Sequence, residues 1–191
     1  MPAVVVSIIV FYEYCMIIDL AGRVVIGEGK AMSVTIIFGS DGGCTRSIAK
    51  KIAAKTSGKA IDITDAEPSD MENCSLLILG CPTYADGELQ NDWNDNLAKL
   101  KEAQLADKRV AIFGTGDQVS FPDSFVDAIG ILHDIVANKG ADVIGYTDPA
   151  GYDFNKSAAL RDGKFVGLAL DEDNQSSETE ARVTAWLSQL T

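Results

Sequence analysis

The sequence predicts a three-layer α/β fold: a doubly wound, five-stranded parallel sheet with an insertion in its last strand. Three observations predict it. From Val34 onward, short apolar runs alternate with stretches whose apolar residues recur at helical spacing. One run, Ser-Leu-Leu-Ile-Leu at 75–79, is apolar almost throughout, as a strand buried on both faces reads. Three loops of small residues follow strand ends, where an open α/β sheet binds its ligands.

The elements follow in order. Val34-Thr-Ile-Ile-Phe38 is the first strand, and Ile48, Ala49, Ile52 and Ala53 give the next segment a helical stripe. Residues 59–63 make a second, short strand, and Pro68 with Ser69, Asp70 and Glu72 opens a short polar helix. Residues 75–79 are the third strand, followed by a loop from Gly80 to about Asn91. Trp93, Leu97 and Leu100 mark a helix, residues 109–113 a fourth strand, and residues 114–123 another loop. A long helix then carries Phe125, Ala128, Ile129, Leu132 and Val136 on one face. The fifth strand begins at residues 143–145 and resumes at 165–168, with about 20 intervening residues rich in Gly, Asp and Asn, longer than an ordinary structureless loop. Val183, Trp186, Leu187 and Leu190 close the chain as an amphipathic helix.

Residues 1–31 do not share this pattern and are expected to be an N-terminal extension. Their apolar run, 4–12, is too short to span a bilayer, and it lacks the basic start and cleavage site of a signal peptide. Met32-Ser33 stands directly before the first strand, which makes Met32 a candidate start and the preceding residues a candidate over-extended reading frame. Residues 32–191 are then one ligand-binding domain.

The formal net charge of −12 argues against binding nucleic acid or anionic membrane and favours basic partners. Cysteines 15, 44, 74 and 81 form neither a Cys-x-x-Cys pair nor a zinc spacing, so a reducing, cytoplasmic compartment is expected. The single histidine, His133, reads as a packed or solvent-facing helix residue, and no metal site is expected. Cys44 reads as a small loop filler and Cys81 as a packing residue.

The turn Gly39-Ser-Asp-Gly-Gly-Cys-Thr45 lies between a strand end and a helix N-terminus. There the unpaired amides of the first helical turn and the macrodipole favour an anion, and glycines let a phosphate approach the backbone. Tyr84 and Phe121 place one aromatic ring in each of the two later loops. A flat aromatic ligand ending in a phosphate would suit such a site.

These residues carry a family resemblance. Ile36-Ile-Phe-Gly-Ser-Asp-Gly-Gly-Cys-Thr45 resembles the phosphate loop of the flavodoxins. Gly80-Cys-Pro-Thr83, Gly87-Glu-Leu-Gln90, Asp92-Trp93, Phe113-Gly-Thr-Gly-Asp-Gln118, Gly151-Tyr-Asp-Phe154 and the run 165–175 are similar to later flavodoxin blocks, in the same order. The late insertion resembles the long-chain branch. The resemblance implies strand order 2-1-3-4-5 and a non-covalent FMN carrier that shuttles single electrons, with no catalytic residues of its own. Position by position it implies that Ser40, Asp41, Gly42, Gly43, Cys44 and Thr45 cradle the phosphate, while Tyr84 and Phe121 flank the ring. Asp117 stands where the family's loop accepts from the flavin's pyrimidine edge, and Pro82, Thr83, Ala85, Asp86, Gly87, Thr115, Gly116, Gln118 and Asp123 fall in the contacting loops.

The sequence departs from the family at Gly42, where a hydroxyl residue is usual, and Asp41 puts a carboxylate near a dianion, so weakened FMN binding is expected unless that side chain points to solvent. Asp86, Glu88, Asp92, Asp117, Asp123 and Asp127 lie in or beside the loops. A carboxylate ~10 Å from an added negative charge, at an effective dielectric of ~40, opposes it by about 0.8 kcal/mol, so a low second potential is expected. The resemblance also implies a reorienting peptide between Ala85 and Asp86; alanine tolerates positive φ poorly, so a weaker preference for the one-electron-reduced state is expected.

Implied partners are redox enzymes with basic docking patches, a flavodoxin-reductase-type donor and an acceptor such as nitrogenase or a photosystem, met by a monomer. A response regulator would need an aspartate at the end of the third strand, where Gly80-Cys81 stands, and a small tyrosine phosphatase an arginine where Lys50 stands. A quinone-reductase-like FMN enzyme and a degenerate apo-protein acting as a binding module stay open.

Overall fold

The computed structural model describes residues 32–190 in full and, within residues 1–31, the backbone of three strands. The chain divides into two units, Met1–Met32 and Ser33–Thr191. In the first, β1 (Ile9–Phe11), β2 (Tyr14–Ile18) and β3 (Val24–Glu28) form an antiparallel sheet in that order.

The second unit begins with β4 (Val34–Phe38), α1 (Cys44–Thr56), β5 (Lys59–Asp62) and α2 (Pro68–Glu72). It continues through β6 (Leu76–Tyr84), β7 (Glu88–Leu89), α3 (Asn91–Glu102), β8 (Arg109–Thr115) and α4 (Asp127–Asn138). The last part holds β9 (Asp142–Ile144), a hairpin of β10 (Leu160–Arg161) and β11 (Lys164–Phe165), β12 (Leu168–Leu170), a 3-10 turn and α5 (Thr179–Leu190). The main sheet runs β12-β8-β6-β4-β5, all parallel, which in chain order is 2-1-3-4-5. β9 pairs with β8 at Arg109–Ala111 and β12 with β8 at Phe113–Thr115, so together they form one interrupted fifth strand.

Side chains alternate across the sheet because strands have a period of two. Ile37, Leu77, Leu79, Val110 and Ile112 enter one core, with Trp93, Leu100, Ile129, Leu132 and Val136 from α3 and α4. Ile36, Phe38, Leu76, Ile78, Ala111 and Phe113 enter the other, with Ile48, Ile52, Val183, Trp186 and Leu187 from α1 and α5. Both faces are covered, which is why these strands read as continuous apolar runs.

Three expectations are corrected. The third strand does not end at Leu79: β6 runs on to Tyr84 and folds back through β7, so the expected loop from Gly80 shrinks to a tight turn at 85–87. Gly87 N–H donates to Tyr84 O across it. Phe125 precedes α4 rather than riding on it; it packs with Tyr152, Phe154 and Phe165 of the insertion. Phe165 belongs to the insertion's hairpin, and the resumed fifth strand starts at Leu168. Among the described residues no helix is long and apolar enough to cross a membrane.

Candidate functional site

The carboxyl ends of β4, β6 and β8 surround a cavity of about 530 Å³, within the range of small-molecule sites. Its walls include Ser40, Gly42, Cys44 and Thr45 from the first loop, Pro82, Thr83, Tyr84 and Ala85 from the second, and Thr115, Gly116, Asp117 and Phe121 from the third. Asp41, Gly43, Asp86, Gly87, Gln118 and Asp123, also expected in contact, do not line it. Glu88, Leu89, Asn91, Glu172 and Asp173 do. Glu172 and Asp173 carried one overlooked signal, an acidic run placed directly after an apolar strand in a sheet that binds ligands at strand ends.

The first loop is built to present amides. Gly43, at φ +89°, starts α1, and its N–H donates to Ser40 Oγ at 3.1 Å. That leaves the Ser40 hydroxyl proton to donate outward. The first backbone bond of the helix is Ser47 N–H to Gly43 O, so the amides ahead of it face the loop, as helix N-termini leave them. A Cβ at Gly42 or Gly43 would meet no atom within 4 Å, so the space over the loop is open to a ligand. Thr45 is buried, its Oγ1 3.4 Å from Thr115 Oγ1. Arg46, in the first turn of α1, donates to Asp62 Oδ2 at 3.1 Å and to Ser40 O at 3.4 Å.

Asp41 turns away from this cradle. Gln90, fully buried, donates through Nε2 to Asp41 Oδ1 at 2.8 Å and to Asp92 Oδ2 at 2.7 Å, while its Oε1 accepts from Trp93 N–H. Burial, and then the Asp41 carboxylate beside it, push the Tyr84 phenol above its ordinary pKa. Asp41 therefore joins the loop before α1 to the tyrosine wall. Beyond Tyr84, Ala85 takes φ +45°, in the left-handed region that alanine disfavours.

The third loop is held from behind. Asp117 Oδ1 accepts from Val119 N–H, Ser120 N–H and Asn174 Nδ2, each at 2.9 Å. Hydrogen bonds from Ser120 lead in holding its carboxyl down at about 2. The carboxylate expected at a flavin edge is thus committed to its own turn. Gln118 is buried, its Nε2 donating to Asp171 Oδ2 and its Oε1 accepting from Asp153 N–H. Asp171, fully buried, also accepts from Asp173 and Asn174 N–H. Thr83 Oγ1 accepts from Ala128 N–H and so ties the second loop to α4. Phe121 stays 49% exposed at the cavity wall, next to Val119 at 68%.

Cys44 is exposed at the cavity, whereas Cys74 and Cys81 are buried, and burial pushes both buried thiols upward. His133 is packed, its Nδ1 3.0 Å from Asp134 and its Nε2 3.1 Å from Tyr146. Among the described residues no cluster of three potential metal ligands occurs.

Comparison with known proteins decides the family. The flavodoxin family model matches residues 36–186. The chain belongs to the flavodoxin family. A flavodoxin from a Nostoc species is 44% identical over 160 residues, covering 82% of this chain and 94% of the relative. One from Haemophilus influenzae is 44% identical over 161 residues, with 82% and 92% covered. Among solved structures, Fusobacterium nucleatum flavodoxin bound to flavin mononucleotide superposes with TM-score 0.78 at 34% identity, covering 83% of this chain and 96% of that one. A mutant of it, also bound to flavin mononucleotide, gives TM-score 0.80 at 36% identity, covering 85% and 97%.

Proposed function

We propose that the cavity holds FMN, with the phosphate on the loop from Ser40 to Thr45 and the ring system between Tyr84 and Phe121. As a flavodoxin, the chain is an FMN-based electron carrier. The observation that carries the site assignment is one cavity joining a helix N-terminus with outward amides to two aromatic side chains. FMN, when bound, supplies one-electron chemistry; the polypeptide supplies binding, orientation and electrostatics. The amides of α1 with the Ser40 and Thr45 hydroxyls grip a dianion without a cation, since Arg46 is paired to Asp62. Asp41, drawn to Gln90, leaves the phosphate its space. Glu88, Asp117, Glu172 and Asp173 wall the cavity with carboxylates, and at ~10 Å each opposes added negative charge by about 0.8 kcal/mol at an effective dielectric of ~40. A low second potential follows.

The chain passes electrons between redox enzymes and has no substrate of its own. Its acidic rim docks a reductase-type donor and an acceptor through their basic patches, weakly and with strong salt dependence, around the exposed Val119 and Phe121. It works as a cytoplasmic monomer. Residues 32–191 form the FMN-binding part, so a chain begun at Met32 takes up FMN as the full chain does.

The test is the visible spectrum. The pure protein is expected to be yellow, to rebind FMN after its removal, and to stay oxidised with NAD(P)H until a reductase is added. A colourless protein that refuses micromolar FMN overturns the proposal; turnover of a quinone with NAD(P)H alone would favour an enzyme instead.

A further inference from the structure

The tight turn at 85–87 has two sides. Tyr84 and Ala85 line the cavity, while Gly87, at φ +105°, backs onto the first turn of α4. A Cβ on Gly87 would stand 2.6 Å from Asp127 Oδ2 and 3.3 Å from Asp127 Cβ and Cγ, so this side chain already fills the space behind the turn. Its other oxygen is held from the insertion: Asp127 Oδ1 accepts from Ala158 N–H at 2.6 Å. Asp127 does not line the cavity itself and can reach a ligand there only through the turn.

The support behind Asp127 is stiff. Ser157 Oγ donates to Phe125 O at 2.6 Å, and a Cβ at Gly130 would meet Ala158 O at 2.1 Å, so the insertion lies directly against α4 and the residues before it. Thr83 Oγ1 accepts from Ala128 N–H, which fixes the start of α4 to the strand that leads into the turn. Between these ties Val126 is buried at φ +52°, a conformation that a β-branched residue keeps only where its surroundings impose it. Burial also pushes the Asp127 carboxyl above its ordinary pKa, although the Ala158 amide pulls it down. We propose that Asp127 is a positioning residue: its carboxylate, fixed by Ala158 of the insertion, braces the 85–87 turn from behind and so holds Tyr84 and Ala85 in place for the flavin ring. The assignment rests on FMN as the ligand of the cavity. A wall held in its binding geometry lowers the ordering cost of binding. The charge of Asp127 acts the other way, since a carboxylate repels the FMN dianion. Truncating Asp127 therefore weakens FMN if the brace dominates and strengthens it if only charge matters.

FMN dissociation constants, read from the quenching of flavin fluorescence, carry the first test. Asp127→Ala should bind FMN roughly fivefold more weakly in spite of losing a like charge, about what one lost brace is worth. Asp127→Asn keeps an oxygen for the Ala158 amide and should recover most of that loss. Ala158→Pro removes the N–H with every charge kept, at the second position of the turn closed by Leu160 N–H to Ser157 O, which proline suits. It should weaken FMN to a similar degree, and the double variant should bind no more weakly than either single one. The second test uses the FMN-free protein. There the Gly87 amide, bonded to Tyr84 O, should exchange with deuterium roughly fivefold faster in Asp127→Ala, over and above any change at the β4 amides, whereas a general loss of stability would move both alike. Unchanged or tighter FMN binding by Asp127→Ala, additive losses in the double variant, or Gly87 exchange that only keeps pace with β4 each overturn the proposal. Refusal of FMN by the unmodified protein overturns the ligand assignment instead, and the exchange measurement then still decides the brace.

Discussion

Gly42 and Gly43 differ in one respect that a pair of alanine substitutions isolates. Neither would place a Cβ within 4 Å of another atom, so sterics of the surroundings cancel. Gly43 has φ +89°, whereas Gly42 is not among the positive-φ residues. Alanine in the left-handed region costs roughly 1–2 kcal/mol, and it recovers about 0.4–1 kcal/mol by restricting the unfolded chain. Gly43→Ala should therefore destabilise by about 1 kcal/mol, while Gly42→Ala should stabilise by about 0.5 kcal/mol. With an m-value of about 2 kcal/mol/M, the urea midpoint of the FMN-free protein falls by roughly 0.5 M for the first and rises by roughly 0.25 M for the second. FMN affinity should drop more for Gly43→Ala, because the φ value of Gly43 sets the aim of the α1 amides. Equal urea midpoints for the two variants would refute the reasoning.

Four more outcomes are expected. Ala85→Gly relieves the strain at φ +45° and should raise the urea midpoint and change the gap between the two FMN midpoint potentials, read by spectroelectrochemistry; an unchanged gap would show that this turn does not respond to reduction. Tyr152→Phe removes the hydroxyl's bond to Ala169 O and should cost about 1 kcal/mol at pH 7. Burial raises the Tyr152 phenol from 10.0 to about 12, so the stability tied to its protonated form is full below pH 10 and is lost as pH rises to 12. Two units of pKa are worth about 2.7 kcal/mol, more than the bond itself, so denaturant titrations across that window should find the advantage of the unmodified protein shrinking and then reversing. Gly80→Ala would set a Cβ 2.3 Å from Phe113 Cζ and should cost about 1–3 kcal/mol in calorimetry, with partial rescue by Phe113→Leu. Among Cys44, Cys74 and Cys81, a thiol reagent should modify Cys44 first, and bound FMN should slow it; equal rates with and without FMN would place Cys44 away from the ligand.

The sheet was readable because its strands bury both faces and so stand out as apolar runs, and the helices because Ile48, Ile52, Leu132 and Val136 repeat at helical spacing. Strand ends were misread where polar and special residues serve strands: Pro82, Thr83 and Tyr84 look like a loop but extend β6, since Tyr84 and Glu88 pair in a local hairpin. Phe125 sat in register with α4 by spacing, yet the insertion's aromatics claim it, a long-range contact that periodicity does not encode. Within the site, the loop before α1 was legible as a cavity wall from its glycines and its place between strand and helix. Asp41 was not, because its direction depends on Gln90, 49 residues away in sequence. Gln118 and Asp117 stand in the loop after β8, but Gln118 is committed to Asp171 at the end of the fifth strand and Asp117 to the amides of its own turn, a local choice that spacing alone does not show.

The interruption of that strand is nearly seamless. Ile144 stands opposite Ala111 and Leu168 opposite Phe113, so a single residue opposite Ile112 would splice the two halves into an unbroken parallel strand. The backbone hydrogen-bond ladder would survive such an excision; the apolar interior would not. Ala159, Phe165 and Val166 are wholly enclosed in the excised stretch, and Phe125 and Ile129 would be laid open to water without them. The segment is thus a cassette in topology and a plug in energetics, and a shortened chain would need polar replacements along that side of α4 before it could stay dispersed.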